Sequence, residues 1–443
     1  MKKIQTSVVC SLALLLIAGC SGTPGKNTQS AQQEASSSGT TEISYLANSI
    51  WEKPIKKVIE EFEKENPNIK VNLQLSPSTK LTETIEIKLA SKAQDLDVIS
   101  VDVPLTMGYS LKGYLEPLDA LIGADAKKKW IASATEAGSY QGQLMAAPMN
   151  TSSVVLFYNK DLFQKAGIAF PSDQLEYRMT WENVLEVAKK LSKDTNGDNQ
   201  NDVYGFSFDQ VGKAYQLIAL GQSKNAKVLS DNGLTATGYT NSPEMVSAFQ
   251  FYSDLFNKEK ISPKIKREEA LDYFISGKVA MFLASTQNMP RIKDAGMNFG
   301  IAPHPYFAGG KIVTPTGSWH VGVSKYSTRK EAAAKFVKYL TLGKGSQIWF
   351  DENGALPASL ELLDQIDKDP KYKEFPNSIM KLAAREARET AVARPKTPGY
   401  LEWENNVNKA FEDIKNGSDP KKALDDAATL VDSQLKKYQS VVK

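Results

Sequence analysis

Apolar and polar residues follow one another along this chain in two rhythms. "EISYLANS" (42–49) is an apolar run that ends in small polar residues, and it reads as a strand. "KPIKKVIEEFEKE" then sets Ile55, Val58, Ile59 and Phe62 three and four residues apart, the stripe of a helix with one buried face. "NPN" (66–68) stops that helix, because the residue before a proline avoids the α region. "IKVNLQL" alternates as a half-buried strand does. Leu81, Ile85 and Leu89 mark a second helix, and "DLDVISVD" a further strand. This β-α-β-α-β order predicts a mostly parallel sheet covered by helices.

The rhythm continues. "VVLFYN" is strand-like and runs into a short helix. Thr180 caps a helix whose Val184, Val187, Ala188 and Leu191 share a face. Ser242 and Pro243 open another. "NFGIAPHP" and "SWHVGVS" read as strands, and 330–341 as a helix facing inward with Ala333, Phe336, Val337 and Leu340. From 357 onward the pattern is mostly helical, and no internal repeat is visible. Open sheets of this kind bind ligands beyond the carboxyl ends of their strands. The loops there are "ANSIW" (47–51) and "SVDVPL" (100–105), so Trp51 and Asp102 fall on the rim. A core position for Trp51 and a helix-capping role for Asp102 are the alternatives.

The amino terminus changes the picture. "MKKIQTSVVCSLALLLIAGC" has a positive end at Lys2 and Lys3 and an apolar run too short for a stable span, as in a secretory signal peptide. Its last residues, "LIAGC", resemble the lipobox of bacterial lipoproteins. That resemblance implies cleavage before Cys20, with residues 1–19 removed and a diacylglycerol on the Cys20 sulfur. Residues 21–41 are Ser, Thr, Gln and Gly with almost nothing apolar, so 20–41 reads as a lipidated cysteine and a flexible tether. The roughly 400 residues that follow exceed one comfortable core, and two lobes are expected.

Composition removes several chemistries. Of the two cysteines Cys10 lies inside the leader and Cys20 at its end, so a mature chain with Cys20 lipidated would have neither disulfide nor free thiol. Two histidines, His304 and His320, are too few for a three-histidine zinc site. No G-x-S-x-G elbow is visible. Without Lys2 and Lys3 the chain carries 52 Lys and Arg against 51 Asp and Glu, which offers no broad basic surface for nucleic acid.

The segments "APMNTSSVVLFYNKDLFQKAGI", "TWENV", "DTNGDNQNDVYGF", "SWHVGVS" and "NGALP", in this order, resemble extracellular solute-binding protein family 1 of ABC importers, the maltose-binding-protein-like group. The resemblance covers nearly the whole mature chain. It implies an α/β, two-lobed periplasmic-binding-protein-like fold of type II, each lobe a mixed sheet flanked by helices, with a hinge near "VVLFYN" and "HVGVS". One lobe would hold 42–154 plus 322–356, the other 155–321 plus 357–443. Ligand would bind in the cleft and the lobes would close on it. Carried over singly, Asn48, Ser49 and Trp51 match the first cleft loop and Asp102 the loop after the third strand. Ser152 stands where the maltose-binding protein has a cleft glutamate, which puts maltodextrin specificity in question. Ser285 and Gln287 match the loop after a lobe strand, where the family often has Trp. Trp319 matches a recurrent aromatic beside the hinge, and Arg394, Tyr400 and Trp403 match the carboxy-terminal cleft segment.

These residue types suit a sugar. A pyranose has a face of C–H groups, which flat rings cover, and a rim of hydroxyls, which Asp, Asn, Gln and Arg bind. Packing inside a lobe is the alternative for each aromatic. "DTNGDNQND" places Asp194, Asn196, Asp198, Gln200 and Asp202 at the alternate positions of a calcium loop, although Gly205 stands where a bidentate Glu belongs. A structural calcium ion there is the one cofactor expected, with a solvated turn as the alternative. The expected protein is not an enzyme. It is a monomeric binding protein, tethered to the outer face of the cell membrane, that delivers a sugar or oligosaccharide to the transmembrane subunits of an ABC importer. Binding of a peptide, a polyol or an acidic sugar, and a secreted carbohydrate-active enzyme, are the competing readings.

Overall fold

A computed structural model of the chain describes residues 39–209 and 213–442. The signal segment, Cys20 and nearly all of the tether lie outside the described residues. The strands are β1 (Thr41–Asn48), β2 (Ile69–Ser76), β3 (Val98–Asp102), β4 (Leu115–Glu116), β5 (Ser139–Tyr140), β6 (Gln143–Leu144), β7 (Ala147–Pro148), β8 (Val154–Asn159), β9 (Tyr204–Phe208), β10 (Val279–Ser285), β11 (Phe299–Ala302), β12 (Thr314–Pro315), β13 (Trp319–Ser324) and β14 (Ala391–Val392).

Two mixed sheets organise them. The first has the order β2-β1-β3-β13-β4, with β7 also pairing with β13. β1 runs parallel to β2 and β3, and β13 runs antiparallel to β3 with Trp319 opposite Asp102. The second has the order β11-β8-β10-β9, with β9 and β10 parallel and β8 antiparallel to β10. Central strands such as β8 and β10 are buried along their whole length, as sheets covered on both faces require. The helix Glu52–Glu65 buries the apolar stripe read from its sequence, Ile55, Val58, Ile59 and Phe62, together with Pro54. The helix Trp181–Leu191 begins in a capping box between Thr180 and Asn183.

Three apolar clusters hold the described residues: one behind the first sheet, one on a face of the second, and one that runs on from Leu46, Ile99 and Val101 of the first sheet to Leu156, Phe206 and Leu283 of the second. Behind the first sheet, Tyr45, Phe62 and Phe336 meet edge to face. Behind the second sheet, Trp181 packs on Phe206 and Phe208. The carboxy-terminal helices Tyr400–Lys415 and Pro420–Leu435 cover this side, where Phe411 stacks on Phe249 with centroids 3.9 Å apart. The segment after 357 is divided. Leu362, Leu363 and Ile366 of the helix Leu360–Lys368 join the core of the first sheet, although the expected partition assigns 357–443 to the other lobe. The helix Ile379–Glu389 serves both sides: Ala383, Ala384 and Ala387 face the first core, and Ile379 and Leu382 face the outer core of the second sheet. β13 also belongs to the first sheet from Trp319 onward, three residues before the expected boundary at 322.

The chain passes between the sheets through residues 149–153, from β7 to β8, and through 316–318, ahead of β13. These two segments lie side by side. Met149 N–H donates to Trp319 O at 2.9 Å, and Gly317 N–H to Ser152 Oγ at 2.9 Å. The hydroxyls of Thr151 and Thr316 are 2.9 Å apart. β12 and β14 pair in parallel beside them and add a third strand of chain. Close by, the buried Arg178 forks onto Glu386, Nη1 to Oε1 at 2.7 Å and Nη2 to Oε2 at 3.0 Å. Burial opposes charge on Glu386, but Arg178 outweighs it and holds the carboxyl below its ordinary range. Among the described residues no helix is long and apolar enough to cross a membrane.

A candidate ligand-binding cleft

The strand directions bring two rims together. Asn48 and Asp102 end β1 and β3, and Trp319 begins the antiparallel β13, so all three lie on one edge of the first sheet. In the second sheet Ser285 ends β10 opposite Val154, the first residue of β8, and Asp209 follows the last residue of β9. Both edges are the ones that the crossing segments join. The candidate site is placed by topology: carboxyl ends of parallel strands from both sheets lie at the same crossing point, where open sheets bind ligands.

On the first rim Asn48 is buried. Its side-chain oxygen accepts from Ile50 N–H at 3.2 Å, capping the turn Ser49–Trp51, and its amide donates to Ser78 Oγ at 2.8 Å. Ser49 is half-buried and Ile50 is exposed. Trp51 is enclosed at 6% exposure, with the ring of Trp319 at 4.9 Å and that of Trp349 at 5.5 Å, both edge to face. Trp319 is the half-buried member of this trio, so Trp51 acts as its backing. Trp319 N–H donates to the side-chain oxygen of Asn150 at 3.3 Å.

Arg394 holds the centre. Its Nη1 lies 3.1 Å from each oxygen of Asp102, and its guanidinium carbon lies 4.1 Å from the ring centroid of Tyr215. Burial disfavours the charge, yet the Asp102 carboxylate more than compensates, and the guanidinium is held above its ordinary pKa. Gly317 makes this approach feasible: a Cβ there would sit 2.7 Å from Arg394 Nη2 and 3.2 Å from the Tyr215 hydroxyl. Ser152 is half-buried, and its hydroxyl and carbonyl oxygens both accept hydrogen bonds from the facing crossing segment.

On the second rim Asp209 accepts from the Asn288 amide at 2.7 Å, and the same amide donates to Ser285 O at 3.2 Å. Burial raises the Asp209 carboxyl above its usual pKa, with the Asn288 bond opposing. Ser285 is buried and Gln287 exposed. Lys213 Nζ lies 3.8 Å from Glu404 Oε2. Tyr400 and Trp403 are enclosed rather than open to the cleft: Tyr400 donates to Glu404 at 3.0 Å, and Trp403 Nε1 reaches Thr240 Oγ1 at 3.4 Å inside the helical layer. Both rings join the apolar cluster on the second-sheet side, and the Tyr400 hydroxyl stays within electrostatic reach of Arg394 and Asp102.

Asp209, Tyr215, Asn288 and Glu404 were not singled out from sequence. The rule about carboxyl strand ends, applied to β9 and β10 as well as to β1 and β3, finds Asp209 directly; the other three depend on tertiary neighbours. In the 194–202 loop the side chains close on the loop itself. Asp194 accepts from Gly197 N–H at 2.7 Å and Asn199 N–H at 2.9 Å, Asn196 from Asp198 N–H at 2.9 Å, and Asp198 from Gln200 N–H at 2.8 Å. Asp202 accepts from Thr195 N–H at 2.7 Å. No group of three acidic, imidazole or thiol side chains close enough to share a metal ion occurs among the described residues.

A family model described as bacterial extracellular solute-binding protein matches residues 48–347. In sequence, a binding protein of Brucella abortus is 26% identical over 394 residues, which cover 86% of this chain and 90% of that protein. The sn-glycerol-3-phosphate-binding periplasmic protein UgpB of Brucella melitensis is 27% identical over 295 residues, 65% of this chain and 66% of that protein. In structure, an ABC substrate-binding protein of Listeria monocytogenes in complex with cycloalternan matches with a TM-score of 0.75 at 25% identity, covering 89% of this chain and 99% of that one. A cyclo/maltodextrin-binding protein complexed with maltotetraose shares the fold at a TM-score of 0.75 and 24% identity, covering 90% and 99%. With its two mixed sheets, crossing segments and rims of this kind, the chain belongs to the bacterial extracellular solute-binding protein family.

Proposed function

We propose that the solute held in this cleft is an uncharged sugar or oligosaccharide, passed on to the membrane subunits of an ABC importer. The observation that carries the reading is the pairing of charges. Arg394 is answered by Asp102 and Lys213 by Glu404, so these cationic groups already have anionic partners. A phosphate or carboxylate ligand would have to displace one of them, whereas hydroxyls can accept from the guanidinium and donate to the carboxylate together. The half-buried Trp319, backed by Trp51, offers a flat apolar surface for a C–H face. Structural relatives crystallised with cycloalternan and maltotetraose support the same class, while the likeness to UgpB supplies the test against it.

The experiment is a thermal-shift screen of the mature chain against neutral oligosaccharides, sn-glycerol 3-phosphate and short peptides. A ligand present at about 100 times its Kd adds about 2.7 kcal/mol to stability. The expected outcome is a Tm rise with one class of neutral saccharide that Asp102→Ala and Arg394→Ala both remove. A rise with sn-glycerol 3-phosphate alone overturns the reading.

Attachment to the outer face of the cell membrane through a diacylglycerol on Cys20 is part of the proposal, supported by the "LIAGC" segment. Two acyl chains hold a protein at a bilayer far better than one. Labelling of cells with a palmitate analogue should tag the wild-type protein and fail to tag Cys20→Ala; equal labelling of both refutes it.

A further inference from the structure

A hollow of about 470 Å³ lies on the second-sheet side, away from the cleft. Tyr204, which begins β9, and Tyr273, on the helix Ala270–Ile275, both line it and are half-buried. Asp209, on the cleft rim, is at the other end of the same strand. Five residues of strand separate the two places by roughly 17 Å, so the hollow is not an extension of the cleft.

Its lining combines rings with polar groups. The side-chain amides of Asn199 and Gln200 reach its edge exposed, and neither makes a side-chain hydrogen bond among the described residues. Lys264 stands beside them, its ammonium held by Asn257 Oδ1 at 2.6 Å. Ser262 also lines the hollow. It is only 3% exposed, yet its hydroxyl has no hydrogen-bond partner. That oxygen is closed off from the hollow, so Ser262 shapes its wall while the exposed amides supply its polar contacts. The volume falls within the range of about 300–1,000 Å³ usual for small-molecule sites.

We propose that this hollow is a second saccharide-binding site, in which Tyr204 and Tyr273 cover the C–H faces of one or two neutral pyranose units and Gln200 and Asn199 bind their hydroxyls. Two tyrosine rings beside unengaged amides are a sugar-type surface for the same reason that the cleft is, but the two sites share no residue. The outer site therefore stands or falls independently of what the cleft binds. It would let the protein hold a longer glycan, or the polymer from which the transported sugar is released, while the cleft stays free.

Saturation-transfer NMR separates the sites. The mature chain carrying Arg394→Ala, in which the cleft is disabled, is mixed in turn with maltotetraose, cellotetraose and chitotetraose. At least one of them should still receive saturation, and the signal should fall several-fold when Tyr273→Ala or Gln200→Ala is added. Gln200 is an exposed loop residue, so its variant keeps the Tm of the parent and controls for misfolding. No transfer to any of the three sugars, or transfer that both added substitutions leave unchanged, overturns the proposal. Failure of the cleft reading would show instead in the comparison of wild type with Arg394→Ala.

Discussion

At the residue scale, burial decides what each polar group can do. His320 is fully enclosed. Its Nε2 lies 3.0 Å from Ala134 O, which only accepts, so that nitrogen carries the proton and Nδ1 accepts from Ser318 Oγ at 3.2 Å. Burial pushes its pKa down to about 4, with the bonds to backbone opposing, and His304 is likewise pushed down to about 4 by burial. The free imidazole titrates near 6.5. Between these values the unfolded chain binds protons that the native chain refuses, so stability falls as pH drops from about 6.5 toward 4 and is unaffected by these groups above that window. Melting curves at pH 7 and pH 5 should show a lower Tm at pH 5, while NMR finds both rings still neutral there. An equal Tm, or a protonated ring at pH 5, contradicts this.

At the scale of elements, the crossing segments set the geometry of the site. Gly317→Ala puts a methyl carbon against Arg394 Nη2, the mobile end of a long side chain, so the fold can absorb it and the guanidinium cannot stay in place. The expected result is a Tm close to wild type with ligand affinity reduced roughly tenfold or more, about 1.4 kcal/mol; unchanged affinity in titration calorimetry would exclude this role. This pattern also explains what the sequence made legible. The stripe Ile55, Val58, Ile59, Phe62 and the cap at Thr180 are local signals, and both elements stand where they were expected. Asp102 likewise ends β3, as strand order alone predicts, whereas Trp51, placed on the rim by the same argument, is enclosed. Side-chain exposure is not local. Trp51, Tyr400 and Trp403 look alike in sequence whether they cover a sugar or fill a core, and only neighbours such as Trp349 and Thr240 decide. Tyr215 and Glu404 join Arg394 and Lys213 through contacts between residues far apart in the chain.

At the scale of the molecule, the two sheets are joined by the crossing segments and by one apolar cluster to which both contribute, and halves hinged in this way can close on a ligand that bridges them. The ligand can shift that balance only through its preference for the closed state. Small-angle scattering of the mature chain should give the mass of a monomer and a radius of gyration that shrinks on saturation with the sugar found by thermal shift. A binding saccharide that leaves the radius unchanged counts against closure.

The paired hydroxyls of Thr151 and Thr316 have a mechanical consequence. Two backbones bound flank to flank resist being slid or splayed, and what remains soft is rotation about the line they share. Such a joint gives the molecule one principal degree of freedom. A small turn at that axis becomes a long sweep at the far tips, and those tips are what a membrane receptor can feel from outside.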